Sequence, residues 1–172
     1  KDERYGGFIS YVDLDLRRYA KAEKGCILNS RILWFFSEAA MLLHTPELSH
    51  AADHAYRFLM RYCVDRKAGG VFWSVTYDGK LLDTTTHTYN QAFAIYALSA
   101  YYRLTGNPEA LQTARQLFQI VEMHCRDAEG YGESYDRFWN PQSNEKLSEN
   151  GVMAERTMNT LLHVFEGYSG LY

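Results

Sequence analysis

The chain has 172 residues, of which 47% are hydrophobic and 23% charged, an ordinary globular balance that fits one domain with a buried core. A formal net charge of −3 with no Lys/Arg cluster argues against nucleic acid and anionic membrane as partners. The aromatic share is high, 15%, which suits binding of flat ligands or sugar faces.

Residues 1–5 read as the tail of an earlier segment. Residues 6–13 alternate like a short strand, and 14–24 read as a loop or hairpin return. A helix is expected over 25–43, apolar nearly all round with Arg31 in its middle. Burying a guanidinium demands a partner, either Glu38 or another carboxylate, or a ligand. Thr45-Pro46-Glu47 then supplies a cap, a proline at the first helical position and an acid by the positive end. Leu48, Ala51, Ala52, Ala55, Phe58, Leu59 and Tyr62 form one apolar stripe, so this is an outer, amphipathic helix. It carries His50 and His54 at i, i+4. The glutamate that would make this a zincin motif is replaced by Ala51, so a solvated face is expected and no metal.

Residues 69–82 read as a hairpin whose Asp78-Gly79 suggests a type I′ turn. The helix from His87 to Thr105 is apolar on every side. Its first turn is polar, with His87, Tyr89, Asn90 and Gln91, which suggests the floor of a pocket or a core helix with a solvated end. Gly106 closes it, and Asn107-Pro108-Glu109 repeats the earlier start signal ahead of a second amphipathic helix with Leu111, Ala114, Leu117, Phe118 and Val121 on one side. Residues 130–139 look extended and 140–145 looped. A last helix is expected from about 154 to 168, with Met158, Leu161, Leu162 and Phe165 as its apolar side and Arg156, Asn159, His163 and Glu166 as its polar stripe. Cys26, Cys63 and Cys125 are widely spaced and read as buried thiols in a reducing compartment. No signal peptide and no apolar run of bilayer length is apparent, so a cytoplasmic location is expected.

The order is inner helix, outer helix, glycine-led hairpin, repeated with a period of roughly sixty residues. The predicted fold class is therefore all-α, a partial (α/α)6 toroid or barrel with short β-hairpins between helix pairs, the whole chain forming one incomplete domain. A ring of six pairs needs about 360 residues by the same arithmetic, so this looks like half of one.

Three stretches carry a resemblance: Lys24-Gly-Cys-Ile-Leu-Asn-Ser-Arg-Ile-Leu-Trp34, Tyr89-Asn-Gln-Ala-Phe-Ala-Ile-Tyr-Ala-Leu-Ser99 and Met158-Asn-Thr-Leu-Leu-His163. In order and spacing they resemble the N-acylglucosamine 2-epimerase family, in particular its members acting on free β-1,4 disaccharides such as cellobiose and lactose. The resemblance implies an (α/α)6 barrel and epimerisation at C2 of the reducing-end sugar. It also implies ring opening, a cis-enediolate, two proton-transferring histidines and no cofactor. Carried onto this chain, it makes Arg31 and His163 catalytic residues facing the enediolate oxygens, with Tyr89 and Asn159 binding substrate. Trp73 and Tyr11 are further candidates for sugar stacking, with a core or loop role as the alternative.

Two departures stand out. Arg156 occupies a position where lysine is expected. The proton-transferring histidines, their glutamate partner and the pocket tryptophans belong to the second half of the barrel, and His44, His50, His54 and His124 do not replace them on spacing. The alternatives are a non-catalytic helical-repeat module that binds carbohydrate or protein, and a sister N-acylglucosamine 2-epimerase or aldose–ketose isomerase.

Overall fold

A computed structural model describes residues 1–144 and 154–172. Among these are five α-helices: α1 (Cys26–Leu43), α2 (Pro46–Phe58), α3 (Thr88–Thr105), α4 (Pro108–His124) and α5 (Met158–Leu171). Helix α2 runs on through a π-helical turn, Leu59–Cys63. Helix α3 lies between α1 and α5 in an inner layer, while α2 packs behind α1 and α4 behind α3. The alternation of all-apolar and amphipathic sequence is thus an alternation of inner and outer helices.

The seam between the layers is filled by Leu33, Ala52, Ala55, Phe58, Leu59, Ile95, Leu98, Ala114 and Leu117, all essentially inaccessible. Burial of each large aliphatic side chain there contributes about 1.5–3 kcal/mol. Tyr56 and Tyr101 stack between α2 and α3 with centroids 4.2 Å apart. Gly167 marks the closest approach of α3 and α5. A Cβ there would sit 2.7 Å from the Ala92 carbonyl oxygen, so a larger residue would force the inner helices apart.

Three short sheets connect the helices. β1 (Lys24–Gly25) pairs with β2 (Ser74–Val75), and β2 with β3 (Leu81–Asp83). β4 (Thr86–His87) pairs with β7 (Ser134–Tyr135), and β5 (Arg126–Asp127) with β6 (Gly130–Tyr131). The 69–82 hairpin is present, but its turn is not type I′. Gly79 N–H donates to the Thr76 carbonyl and Thr76 N–H to the Lys80 carbonyl. Only Gly79 takes a positive φ, +88°, which is a type I turn closed by a glycine bulge. Residues 6–13 form no strand beyond a single bridge, Val12 to Arg18. That bridge and the Tyr19 N–H bond to Tyr11 carbonyl make the expected hairpin return. Glu145, the end of the predicted 140–145 loop, lies outside the described residues.

A device not foreseen from sequence recurs at each repeat. Asp2 accepts the backbone N–H groups of Arg4 and Tyr5 and pairs with buried Lys24 at 2.7 Å. Asp65 accepts those of Lys67 and Ala68 and pairs with Arg137 at 2.5 and 3.1 Å. Asp127 accepts those of Glu129 and Gly130 and pairs with Arg156. Each aspartate folds its glycine turn and ties it to a cation further along the chain.

Burial alone would push the Asp65 carboxyl up, but the Arg137 guanidinium and two backbone donors outweigh it and hold it below the ordinary carboxylate range. A carboxylate depressed in the folded state contributes stability above its unfolded pKa, about 3.9, and loses it as pH falls through the folded value. Asp65→Asn should therefore cost about 3 kcal/mol at neutral pH, since it strips the charge from a buried pair. It should also flatten the acid limb of the stability curve below about pH 4. Urea titrations at neutral and acid pH read both effects, and a variant with the wild-type midpoint at both would refute them.

Several expectations about α1 and α5 are corrected. Helix α1 is not buried all round: Arg31 and Phe35 are exposed, as are Leu42 and Leu43 at its end. Glu38 is not the partner of Arg31. It pairs with Arg103 of α3, whose guanidinium also donates to the Gly170 carbonyl of α5, so one arginine stitches all three inner helices. By length and composition α1 is apolar enough to cross a membrane, with a mean hydropathy of 1.3 over its 18 residues, contrary to the reading of the sequence. Here it packs on α2 and α3.

Helix α5 starts at Met158, so Arg156 lies ahead of it. Its predicted apolar side faces outward: Met158 is 78% and Phe165 70% exposed, with Leu161 and Leu162 about as open as a surface residue. The buried side is Thr160, Val164 and Gly167. Clustered exposed apolar side chains of this kind mark association surfaces. We expect the purified chain to self-associate with increasing concentration in sedimentation velocity. A single monomeric species at high concentration would contradict this.

Candidate functional site

The first turns of α3 and α5 are anchored by buried polar side chains: those of α3 reach back to the preceding hairpin, and that of α5 is met by Glu133. Asn90 donates to the Phe72 carbonyl at 2.8 Å, and Gln91 both donates to the Val71 carbonyl (2.9 Å) and accepts its N–H (2.7 Å). Both side chains are fully buried. The polar start of α3 is therefore not a solvated helix end: His87, Asn90 and Gln91 are buried, with Asn90 and Gln91 holding the hairpin, and Tyr89 enters the cluster described next. At α5, buried Glu133 accepts from the Thr157 N–H at 2.6 Å and the Thr160 hydroxyl at 2.5 Å. A carboxylate here also complements the positive end of the helix. Thr157 caps the helix through the Thr160 N–H.

These anchors bring residues of three helices together. The His163 ring lies 4.3 Å from that of Phe93 and 5.1 Å from that of Tyr89, centroid to centroid. Tyr89 meets Phe93 edge-on at 5.2 Å. The Arg31 guanidinium lies over the other part of the same wall, 5.3 Å from the Phe93 centroid, a cation–π distance. Arg31, Tyr89 and His163 thus converge around Phe93. Asn159 is on α5, one turn before His163, and is exposed.

Phe93 and Glu166 complete the cluster, and neither stands out in the sequence as a site residue. Phe93 reads as one more core aromatic, yet it is the ring shared by Arg31 and His163. Glu166 lies three residues after His163 and its Oε2 is 2.6 Å from His163 Nδ1. The i, i+3 spacing was the available signal.

The other candidates fall elsewhere. Trp73 packs on His87 at 4.6 Å and exposed Tyr11 on Tyr19 at 5.0 Å. His54 is half-buried and not solvated as expected: its Nε2 lies 2.7 Å from the Gly7 carbonyl. Among the described residues no group of three His, Cys, Asp or Glu side chains is placed to hold a metal ion. The three cysteines are buried and unbridged. A cavity of about 510 Å³ beside Glu133, Ser134, Asn144 and Arg156 includes none of the clustered residues; the cluster itself is an open wall.

A wall that combines an exposed guanidinium, a phenol and an imidazole around an aromatic ring can stack a sugar face and meet its oxygens. Comparison with known proteins points the same way. Residues 6–159 match the N-acylglucosamine 2-epimerase (GlcNAc 2-epimerase) family. The chain is 57% identical over 171 residues to a cellobiose 2-epimerase of Eubacterium cellulosolvens, covering 99% of this chain and 42% of that protein. It superimposes on the crystal structure of a sugar epimerase from a ruminal bacterium with a TM-score of 0.97 and 49% identity, covering 100% of this chain and 44% of the other. For the cellobiose 2-epimerase of Bacillus thermoamylovorans the TM-score is 0.96 at 46% identity, covering 100% and 45%. The chain therefore spans less than half the length of the relatives it matches. Its inner and outer helices are a portion of an (α/α)6 barrel.

Proposed function

The chain belongs to the N-acylglucosamine 2-epimerase family, and from that premise we propose that it is an incomplete barrel, one part of a sugar 2-epimerase acting on cellobiose-type β-1,4 disaccharides. The reaction converts the reducing-end glucose to mannose. The observation that carries this reading is the convergence of Arg31, Tyr89 and His163 around Phe93 on three inner helices, in a chain so similar to cellobiose 2-epimerases.

In this reading the sugar opens and the C2 proton is removed. The resulting cis-enediolate is reprotonated on its other face. A proton alpha to a carbonyl needs a base near neutrality, and the enediolate oxygens need donors fixed in advance. Arg31 supplies a permanent positive charge at those oxygens, and His163 exchanges a proton with one of them. Tyr89 and Asn159 orient the sugar. The groups that move the C2 proton come from outside these 172 residues. The test is NMR of cellobiose, then lactose, in D₂O with the complete protein. Glucosyl-mannose or galactosyl-mannose with deuterium at C2 is expected. A 2-ketose product, or sugar binding with no product, would sink the epimerase assignment.

A further inference from the structure

We propose that Glu166 is a positioning residue for His163: it fixes the ring so that Nδ1 carries the proton and Nε2 is presented to the sugar as an acceptor. This rests on the reading of His163 as a group that meets the substrate's oxygens. The geometry stands by itself. Glu166 Oε2 and His163 Nδ1 are 2.6 Å apart, with the histidine side chain 18% and the glutamate 40% exposed. A carboxylate accepts hydrogen bonds and cannot donate, so Nδ1 must be the donor. The ring packs against Phe93 and Tyr89, and among the described residues Nδ1 holds its one hydrogen bond.

The consequence sharpens what His163 can do. A neutral imidazole has one N–H, and here it points to Glu166. Nε2 then has a lone pair and cannot act as a neutral donor that polarises a carbonyl. It can take a proton from a sugar hydroxyl: the O–H bond breaks, its electron pair stays on oxygen, and an N–H bond forms at Nε2. The imidazolium produced faces the Glu166 carboxylate on its other side and donates back to the same oxygen, returning the proton as the charge there is discharged. Second groups that orient an imidazole in this way commonly govern its tautomer.

The tautomer is directly readable. Free histidine favours the opposite form, with the proton on Nε2, so the prediction is not met by default. The experiment is magic-angle-spinning ¹⁵N NMR of the 172-residue chain labelled only at histidine, which reads tautomers whatever the chain's state of association. It is run well above pH of about 6.5, where an ordinary imidazole is neutral. His163 is assigned by its loss in His163→Gln. The expected wild-type result is protonated Nδ1 and unprotonated Nε2 at His163. His54 serves as an internal reference for the opposite tautomer, because its Nε2 must donate to the Gly7 carbonyl, and circular dichroism of each variant checks that the chain is folded. Glu166→Ala should lose the Nδ1–H signature at His163 and leave His54 unchanged. Glu166→Gln, whose amide oxygen still accepts, should keep it. A wild-type His163 with its proton on Nε2, whatever His54 shows, overturns the proposal, as does an unchanged pattern in Glu166→Ala. Absence of epimerase activity in the complete protein with the Nδ1–H form intact would instead remove the functional reading and leave the pair standing.

Discussion

Incubated with cellobiose in D₂O, the 172-residue chain alone is expected to return the sugar unchanged, with no glucosyl-mannose and no deuterium at C2. Inverting C2 through an enediolate needs a base on one face and an acid on the other. Losing one such group typically costs about 10² to 10⁴ in rate. In the proposed mechanism both are absent from this chain, and what remains is half of the wall that meets the oxygens. That wall is also wet: Arg31 and Asn159 are exposed, so water screens the charge–oxygen contacts that an enclosed site would strengthen. The measurement is an NMR time course against a no-protein control. Deuterium at C2 above that control would show that a competent base is already present, and the division of labour proposed between the chain and the rest of the protein would fall.

The architecture was legible because helix signals are local. Pro46 and Pro108 start the outer helices, Gly106 takes the left-handed conformation that ends α3, and the glycine-led turns mark the repeat. Periodicity tells which residues share a helix face but not which face is covered. That is why the stripe Met158, Leu161, Leu162 and Phe165 was read as the packed side of α5, while Thr160, Val164 and Gly167 do the packing. Small residues allow the close approach of α5 to α3, and a hydrophobicity pattern does not register them as contact residues. Asp78-Gly79 was ambiguous for a related reason: the dipeptide fits a two-residue type I′ turn or a type I turn with a glycine bulge, and the strand register chooses.

Long-range pairings were beyond reach. Glu38 has Arg31 within two turns on its own helix, yet its partner Arg103 lies 65 residues away. The Asp65–Arg137 clasp spans 72 residues. At the site, Arg31, Tyr89 and His163 are legible through the family resemblance, with only weak support from residue type. Phe93 reads as core in the sequence, and Glu166 as one member of a polar stripe; the packing of α3 against α5 sets Phe93 beside His163, and the turn of α5 sets Glu166 there.

In the complete protein, Arg31→Ala should lower kcat by about 10²- to 10³-fold, the range seen when one donor to a developing oxyanion is removed, and His163→Ala by about 10²- to 10⁴-fold, as when a proton-transferring group is lost, while KM changes much less. Both side chains are assigned to charge that develops during the reaction, and an interaction made only then appears in kcat and kcat/KM together. Arg31→Lys separates charge from shape. Lysine keeps the positive charge but not the planar guanidinium that lies 5.3 Å over Phe93, and it offers a point charge where arginine offers a fork of donors. It should recover part of the loss and not all of it. Folding should be little disturbed at Arg31, which is exposed and pairs with no carboxylate among the described residues. Circular dichroism and a denaturant midpoint check that. Steady-state kinetics on cellobiose decide the rest: a raised KM with kcat intact in either alanine variant would make these residues binding groups only, and the assignment of Arg31 and His163 to the enediolate oxygens would be wrong.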